Sequence, residues 1–474
     1  MINKKILLLL NNAPDVKPFT NELYKRLILQ GFDVIVASES LFYQYTLNLD
    51  FKIDYVFSQY FKLNYNRSDL AFLDSKLSQF NIWESYFNEY DRANHIGNRK
   101  NREYTCKVIV NLYNFFYEIF KEEKIDIVWH EAISNSFNYS AYNVSTLFDI
   151  KYKGLIYSRL PKRFEILETV YGNSTKYINE YNNCLNNLYQ LDEELILYTK
   201  VYLSNFNNIQ PDYMLLTGLN ATDTMSEIYL KKNKLNYLIG SLLYLIKQWR
   251  NDLPFAYQLG NPVLSSLNSF WLQLKRRIKI PIINKIYYSS IDNSSTDLFF
   301  LYPLHFHPES ATSILARHFN DELNTITNIA FNLPFGYRLY VKDHMSAAGF
   351  PSLLFYKKLS QIPNVVLIPY YQDTKILIKN CVTVITLTST VGFEALVMNK
   401  PVIVLGKVFY EKHPLVTKVV NFDNLFNILS ELIRQNTYSH NQNAIATVCG
   451  YYKISISIND YKDTVDLIID SINK

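Results

Sequence analysis

The sequence predicts an α/β protein of two Rossmann-like, doubly wound domains facing a cleft, with a helical insert between them. Three observations predict it. Short apolar runs of strand length alternate with helical spacing from residue 1 to about 165, and again from about 293 to 435. Between those blocks the β-branched runs disappear and helical periodicity dominates. In the second block, polar residues suited to anions and hydroxyls follow the strand-like runs, where an open α/β sheet places its ligand.

The elements follow in order. Ile6–Leu10 is a continuous apolar run, Pro18–Gln30 has helical spacing, and Asp33–Ala37 reads as a second strand after Gly31. Such a βαβ unit implies a parallel sheet with a right-handed crossover. The charged, apolar start KKILLLL is too short for a signal peptide, because Asn11, Asn12 and Asp15 end the run. Further strands are expected at Ile125–Trp129 and Lys153–Tyr157, around a helix from Ser136 to Leu147. This first domain is placed at residues 1–165.

Residues 166–292 read as the helical insert, with long helices at Glu180–Val201 and Tyr237–Arg250. Its end, Phe270–Tyr288, is both basic and apolar. The favoured reading is a helix whose Lys and Arg stems cover the linker to the next domain. Contact of Lys275, Arg276 and Arg277 with anionic lipid headgroups is the alternative.

Residues 293–435 alternate again. Strands are expected at Leu298–Leu304, Arg338–Lys342, Val365–Ile368, Thr383–Leu387 and Pro401–Leu405. Helices are expected at Asp321–Asn332, Ser352–Gln361, Thr374–Asn380 and Val391–Met398. Two such domains describe the GT-B architecture, and residues 436–474 are left as terminal helices that can cross back to the first domain.

Composition bounds the function. With 48% hydrophobic and 19% charged residues the chain is globular, and its net charge of +5 is too small and diffuse to argue for nucleic acid. The 39 Tyr and 30 Phe are spread evenly, which speaks against an aromatic binding platform. Cys106, Cys184, Cys381 and Cys449 form no CxxC pair, so a zinc or disulfide framework is not expected and a cytoplasmic setting is. No apolar stretch reaches the roughly 20 residues needed to span a bilayer.

Candidate chemistry sits at strand ends. Thr388, Ser389, Thr390 and Gly392 lie between a strand and a helix, where free N–H groups and the helix dipole favour an anion; Ser389 or Thr390 also suits a plain helix cap. Glu394, in the first turns of that helix, can accept from ribose hydroxyls or simply offset the dipole. Lys342 and His344 close a strand and can neutralise a leaving phosphate. In HFHPE, His305, His307 and Glu309 follow another strand; hydrogen bonding to a ligand is favoured over a metal, since Pro308 intervenes and a third ligand is lacking.

In the first domain Glu131 ends IDIVWHE, placed as general base or nucleophile, or as an ordinary capping or paired Glu. Arg159 and Arg163 follow the next strand and can fork onto a substrate carboxylate or pair surface acids. HEAIS at His130 lacks the second His of a zinc protease. The absence of Asp-x-Asp argues for a metal-free transferase in which Lys, His and a helix start hold the departing phosphate.

YPLHFHPES (Tyr302–Ser310), LYVKDH (Leu339–His344), TLTSTVGFEAL (Thr386–Leu396) and KPVIVLG (Lys400–Gly406) together resemble the capsule polysaccharide biosynthesis proteins. These are relatives of Kdo transferases and of transferases for nonulosonic acids such as pseudaminic or legionaminic acid. The resemblance covers about 110 residues, with weaker support from IDIVWHEA and YSRLPKRF. It implies a GT-B glycosyltransferase that takes a CMP-activated 2-keto sugar acid, needs no cofactor, and glycosylates a glycan or lipid-linked acceptor, in the cytoplasm or peripherally at the inner membrane.

By the same resemblance His305, Glu309, Lys342, His344, Ser389, Thr390 and Glu394 contact the cytidine monophosphate. Two positions depart from the pattern: Met345 stands where Pro is usual after the Lys-acid-His run, and His307 where Gln is common. The alternatives are a UDP-sugar-dependent GT-B enzyme or epimerase, and a non-catalytic GT-B-like capsule assembly protein.

Overall fold

In the computed structural model, each long apolar run becomes a strand whose alternate side chains feed two different cores. The structure describes residues 4–11, 18–41, 43–44, 47–67, 80–95, 102–210, 212, 239, 243, 246, 262–289, 297–434, 441–458 and 461–473. The predicted helix Tyr237–Arg250 lies outside these residues apart from 239, 243 and 246.

The first half contributes β1 (Lys5–Leu10), β2 (Asp33–Ser38), β3 (Tyr55–Val56), β4 (Ile127–Glu131), β5 (Lys151–Tyr157) and β6 (Arg163–Leu167). The second contributes β7 (Phe299–Pro303), β8 (Arg338–Lys342), β9 (Val365–Ile368), β10 (Val384–Thr386), β11 (Val402–Val404) and β12 (Val416–Lys418). A last strand, β13 (Ser455–Ser457), returns to the first sheet.

The first sheet runs β13-β6-β5-β4-β1-β2-β3; β5 through β3 are parallel, while β6 and β13 are antiparallel to their neighbours. The second runs β12-β11-β10-β7-β8-β9 and is parallel throughout. In each, the strand order reverses beside the first strand: between β1 and β4, and between β7 and β10. That switch point is where a doubly wound sheet leaves a crevice for a ligand.

Helices cover both faces, so β1 from Ile6 on and β7 are apolar without interruption. In β1, Leu7 and Leu9 join the core with Val128, Phe116 and Phe137, while Ile6 and Leu8 join the one with Trp129, Leu23 and Ile468. In β7, Phe299 and Leu301 pack with Val384 and Phe393, and Phe300 and Tyr302 with Ile385 and Ile326.

Three expectations change. The helix expected at Glu180–Val201 is two, Ser174–Asn186 and Glu193–Ser204. Asp192 starts the second by accepting from Glu194 N at 2.9 Å, and an Asn-Asn pair ends the first. Residue 165 falls inside β6, a strand not anticipated from the sequence. The C-terminal stretch is more than helix: Asn441–Ile454 packs on Ser174–Asn186, β13 extends the first sheet, and Tyr461–Asn473 buries Val465, Ile468, Ile469 and Ile472 in the first core.

The halves also touch directly. Asn88, on helix Ile82–His95, donates to Ser313 Oγ at 2.9 Å. Asp91 on that helix pairs with Arg317 and accepts from Asn320 at 3.3 Å.

Gly154 on β5 faces the end of β4 so closely that a Cβ there would sit 2.7 Å from Glu131 O. Gly154→Ala must therefore push β4 and β5 apart just where Glu131 emerges. Urea unfolding is expected to show a loss of about 1–3 kcal/mol, the usual cost of overpacking.

Candidate functional site

At the carboxyl edge of the second sheet, one buried carboxylate organises three loops. Glu322, at the start of helix Glu322–Phe331, accepts from His305 N at 3.0 Å and meets His305 Nδ1 at 2.9 Å. Its other oxygen meets His307 Nε2 at 3.0 Å, and Tyr302 Oη adds a contact at 3.2 Å. Burial alone would raise this carboxyl's pKa; hydrogen bonds from both imidazoles and their charge bring it down to about 2. On His307, burial works against the charge, yet the Glu322 contact outweighs it and holds the pKa above its usual value.

The chain of bonds continues toward the helix start. An ionised carboxylate only accepts, so His305 donates to it from Nδ1, while its Nε2 lies 3.2 Å from Thr386 Oγ1. Thr386 Oγ1 in turn accepts from Ser389 N at 3.1 Å. Ser389 caps helix Thr390–Val397 by accepting from Val391 N at 3.2 Å. Tyr410 Oη donates to Ser389 O at 2.5 Å.

Beside this helix start, Thr390, Phe393 and Glu394 line a narrow cavity with Arg159, Lys375 and Tyr202. The protein packed around Glu394 pushes its pKa up to about 7, against the pull of Lys375 and Lys342. Burial pulls Lys342 down to about 8, against Asp343 and Glu394. Lys342 Nζ donates to Tyr370 O at 3.0 Å and lies within electrostatic reach of both Glu394 and His344.

Asp343 is pinned by Tyr288 Oη at 2.5 Å, Tyr356 Oη at 2.8 Å and His344 N at 2.7 Å. His344 accepts at Nδ1 from Ser346 N at 3.2 Å, which puts the proton of the neutral ring on Nε2. Burial and the Lys342 charge bring its pKa down to about 4. At neutral pH the ring therefore donates from Nε2 as a neutral group.

Across the cleft, the ends of β2 and β4 gather acids. Glu131 accepts from Ser134 Oγ at 3.0 Å through its carboxylate and from Tyr152 Oη at 2.9 Å through its carbonyl. Glu39, one residue past β2, is buried, and burial with the nearby charges of Glu89 and Glu131 raises its pKa to about 8. His130 is a neutral strut: burial takes its pKa to about 3, and it bridges Asn138 Nδ2 and Asn11 Oδ1. Arg92 is within reach of Glu39 on one side and Glu309 on the other, so both clusters face one cleft.

Of the expected residues, the structure draws together Lys342, His344, Ser389, Thr390, Glu394 and Arg159. Glu131 stands at the end of β4, and the others have these surroundings. His305 has both nitrogens committed to Glu322 and Thr386, and His307 is turned to Glu322. Thr388 donates its hydroxyl to Ala311 O at 3.2 Å. A Cβ on Gly392 would meet Tyr410 Oη at 2.2 Å, so that glycine makes room for the tyrosine. Glu309 is exposed as a residue, but the protein around its carboxyl raises the pKa against the pull of Arg92, His307 and Arg159.

Arg163 is a structural tie: it donates to Ser455 Oγ at 2.7 Å and Tyr452 O at 3.0 Å and stacks on the Tyr452 ring. Glu322, Glu39, Lys375 and Arg92 went unnoticed in the sequence. Glu39 alone carried a usable signal, because it follows an apolar strand just as Glu131 closes one.

Two doubly wound sheets with their carboxyl strand ends across one cleft define a GT-B architecture. Residues 290–419, which span the whole second sheet, match the family of capsule polysaccharide biosynthesis proteins. No curated protein matches the chain. Among solved structures, the chain is similar to the beta Kdo 2,4 transferase of Thermosulfurimonas dismutans KpsC at 14% identity and a TM-score of 0.35, covering 70% of this chain and 85% of that one. The beta Kdo 2,7 transferase of the same protein is 12% identical with a TM-score of 0.32, covering 84% and 98%. The UDP-GlcNAc 2-epimerase of Neisseria meningitidis is 13% identical with a TM-score of 0.31, covering 99% of each.

The Glu322 network predicts a pH-dependent stability. A carboxyl lowered from 4.5 to about 2 on folding stabilises by roughly 3 kcal/mol above pH 4.5, and that contribution is lost as pH falls toward 2. Urea unfolding of Glu322→Gln is expected to show a deficit of about that size at neutral pH. The deficit should stay level down to pH 5 and shrink below 4.5.

Proposed function

We propose that the chain is a glycosyltransferase of capsule or other surface polysaccharide synthesis. It moves a 2-keto sugar acid, Kdo or a nonulosonic acid, from a CMP-activated donor to a glycan or lipid-linked acceptor. One observation carries this reading. The capsule-biosynthesis match at residues 290–419 coincides with the sheet whose switch point gathers Lys342, His344, Thr390 and Glu394 around a capped helix start.

The chemistry follows from those groups. A helix N-terminus and a buried lysine give positive potential where a phosphate would depart. His344 Nε2–H adds a neutral donor, and Glu394 is placed to accept from ribose hydroxyls. Arg159, on the cavity wall beside Glu394, suits the carboxylate of the sugar acid. Glu131 is the carboxylate that activates the acceptor hydroxyl or attacks the oxocarbenium-like centre. Glu39 keeps a proton near it over the neutral range. Lys342 and the helix start meet the leaving charge, so the scheme assigns no step to a metal or cofactor.

Calorimetry with CMP, CDP and UDP tests the donor. Selective CMP binding is expected, weakening as pH rises through about 8 and Lys342 loses its proton. Equal or preferred UDP binding would point to the UDP-sugar reading. With CMP-activated donors and an acceptor glycan, Glu131→Gln is expected to retain CMP binding and slow CMP release by roughly 10²–10⁴-fold. Near-normal turnover would remove Glu131 from the mechanism. Absence of CMP release by the native chain with every donor would favour the non-catalytic assembly role.

A further inference from the structure

The helix Pro262–Ile286 has two faces of different character. Its inner face is committed to the second half. Arg276 donates to Ala348 O at 2.5 Å and Met345 O at 3.2 Å, and its guanidinium lies over the Phe350 ring. Lys279 donates to Phe350 O at 2.9 Å and Pro351 O at 2.7 Å, while Ile280 and Ile283 are buried.

The outer face is apolar and in water. Leu267, Phe270, Trp271 and Ile278 are 51%, 63%, 55% and 61% exposed. At about 100° per residue these four fall within one arc of roughly 100°. Lys275 and Arg277, both exposed, lie on opposite edges of that arc. The helix carries Lys275, Arg276, Arg277, Lys279 and Lys285 and no Asp or Glu. Ile239, Leu243 and Ile246, also exposed, repeat with the spacing of one helical face.

We infer that this face docks on an anionic phospholipid surface. Leu267, Phe270, Trp271 and Ile278 enter the boundary between headgroups and acyl chains, and Lys275 and Arg277 snorkel to the phosphates on either side. Charge selects this occupant. A second copy meeting the same face would set Lys275 and Arg277 against their own counterparts with no acid on either helix, whereas anionic headgroups complement both. The helix lies along the surface: among the described residues no helix is long and apolar enough to cross a membrane. Its inner face grips the loop that follows His344, so docking holds the candidate site about one helix diameter, ~10 Å, from lipid.

The inference concerns the outer face of one helix and stands or falls apart from the transferase reading. Flotation of the full chain with vesicles of phosphatidylcholine alone, or mixed with phosphatidylglycerol, tests it. Co-flotation with the anionic vesicles only, reduced by added salt, is expected. Phe270→Ser with Trp271→Ser should lower the bound fraction about tenfold, with the thermal midpoint and nucleotide binding unchanged. Lys275→Ser with Arg277→Ser, at exposed positions, should remove the preference for phosphatidylglycerol and provides the test independently if the first pair unfolds. Absence of flotation by the native chain, or equal flotation by the charge variant, would overturn the inference. So would light scattering showing a dimer that Phe270→Ser and Trp271→Ser disperse.

Discussion

A charged carboxylate inside a protein is tolerable only if enough donors surround it, and Glu322 shows what that requirement organises. Stripped of water, it takes the main-chain N–H of His305, one nitrogen from each of two imidazoles and a tyrosine hydroxyl. The donors come from three residues, Tyr302 on β7 and His305 and His307 in the loop after it, so satisfying the charge fixes the path of that loop. Through His305 and Thr386 the same bonds reach the N–H of Ser389. The start of helix Thr390–Val397 is thus oriented by a residue that never faces the cavity.

The two sheets present opposite chemistry at equivalent places. At the β7/β10 switch point stand a helix start, Lys342 and a neutral His344; at the β1/β4 switch point stand Glu131, Glu39 and Glu89. The second surface is the more positive and the first the more acidic. Keeping them on separate sheets prevents the charges from pairing and cancelling, while Arg92 between Glu39 and Glu309 moderates the gap. Helix Ile82–His95, which bears Arg92, also bears the Asp91 and Asn88 contacts that join the halves.

Much of this was legible in the sequence wherever local pattern and tertiary context agree. β8 and β9 fall where their apolar runs begin and end, since both strands are covered on two faces and leave no polar residue inside. Strands β3, β6, β12 and β13 were not legible: two to five residues long and at or next to a sheet edge, they need no long apolar run. The site divides the same way. Ser389, Thr390 and Glu394 are contiguous with a strand-to-helix junction, and the junction alone announces them. His305, His307 and Arg163 look like ligand residues because their partners, Glu322 and the β13 region, lie 15 to about 290 positions away. Glu322 itself reads as an ordinary first-turn acid beside its cap, Asp321.

Met345 shows how such a departure can be absorbed. A proline at that position would stiffen the turn after His344 through its own ring. Here stiffness comes from outside. Met345 packs with Ile280, Ala348 and Tyr370, its carbonyl accepts from Arg276, and Gly349 lets Arg276 and Ile280 approach where a Cβ would lie 2.9 Å from each. Ser346 N then closes on His344 Nδ1 and sets the tautomer that leaves Nε2–H as a donor. The loop's geometry has moved from local backbone to a long-range anchor. For that reason Arg276, which from the sequence belonged to a basic surface run, belongs instead to the support of the candidate site.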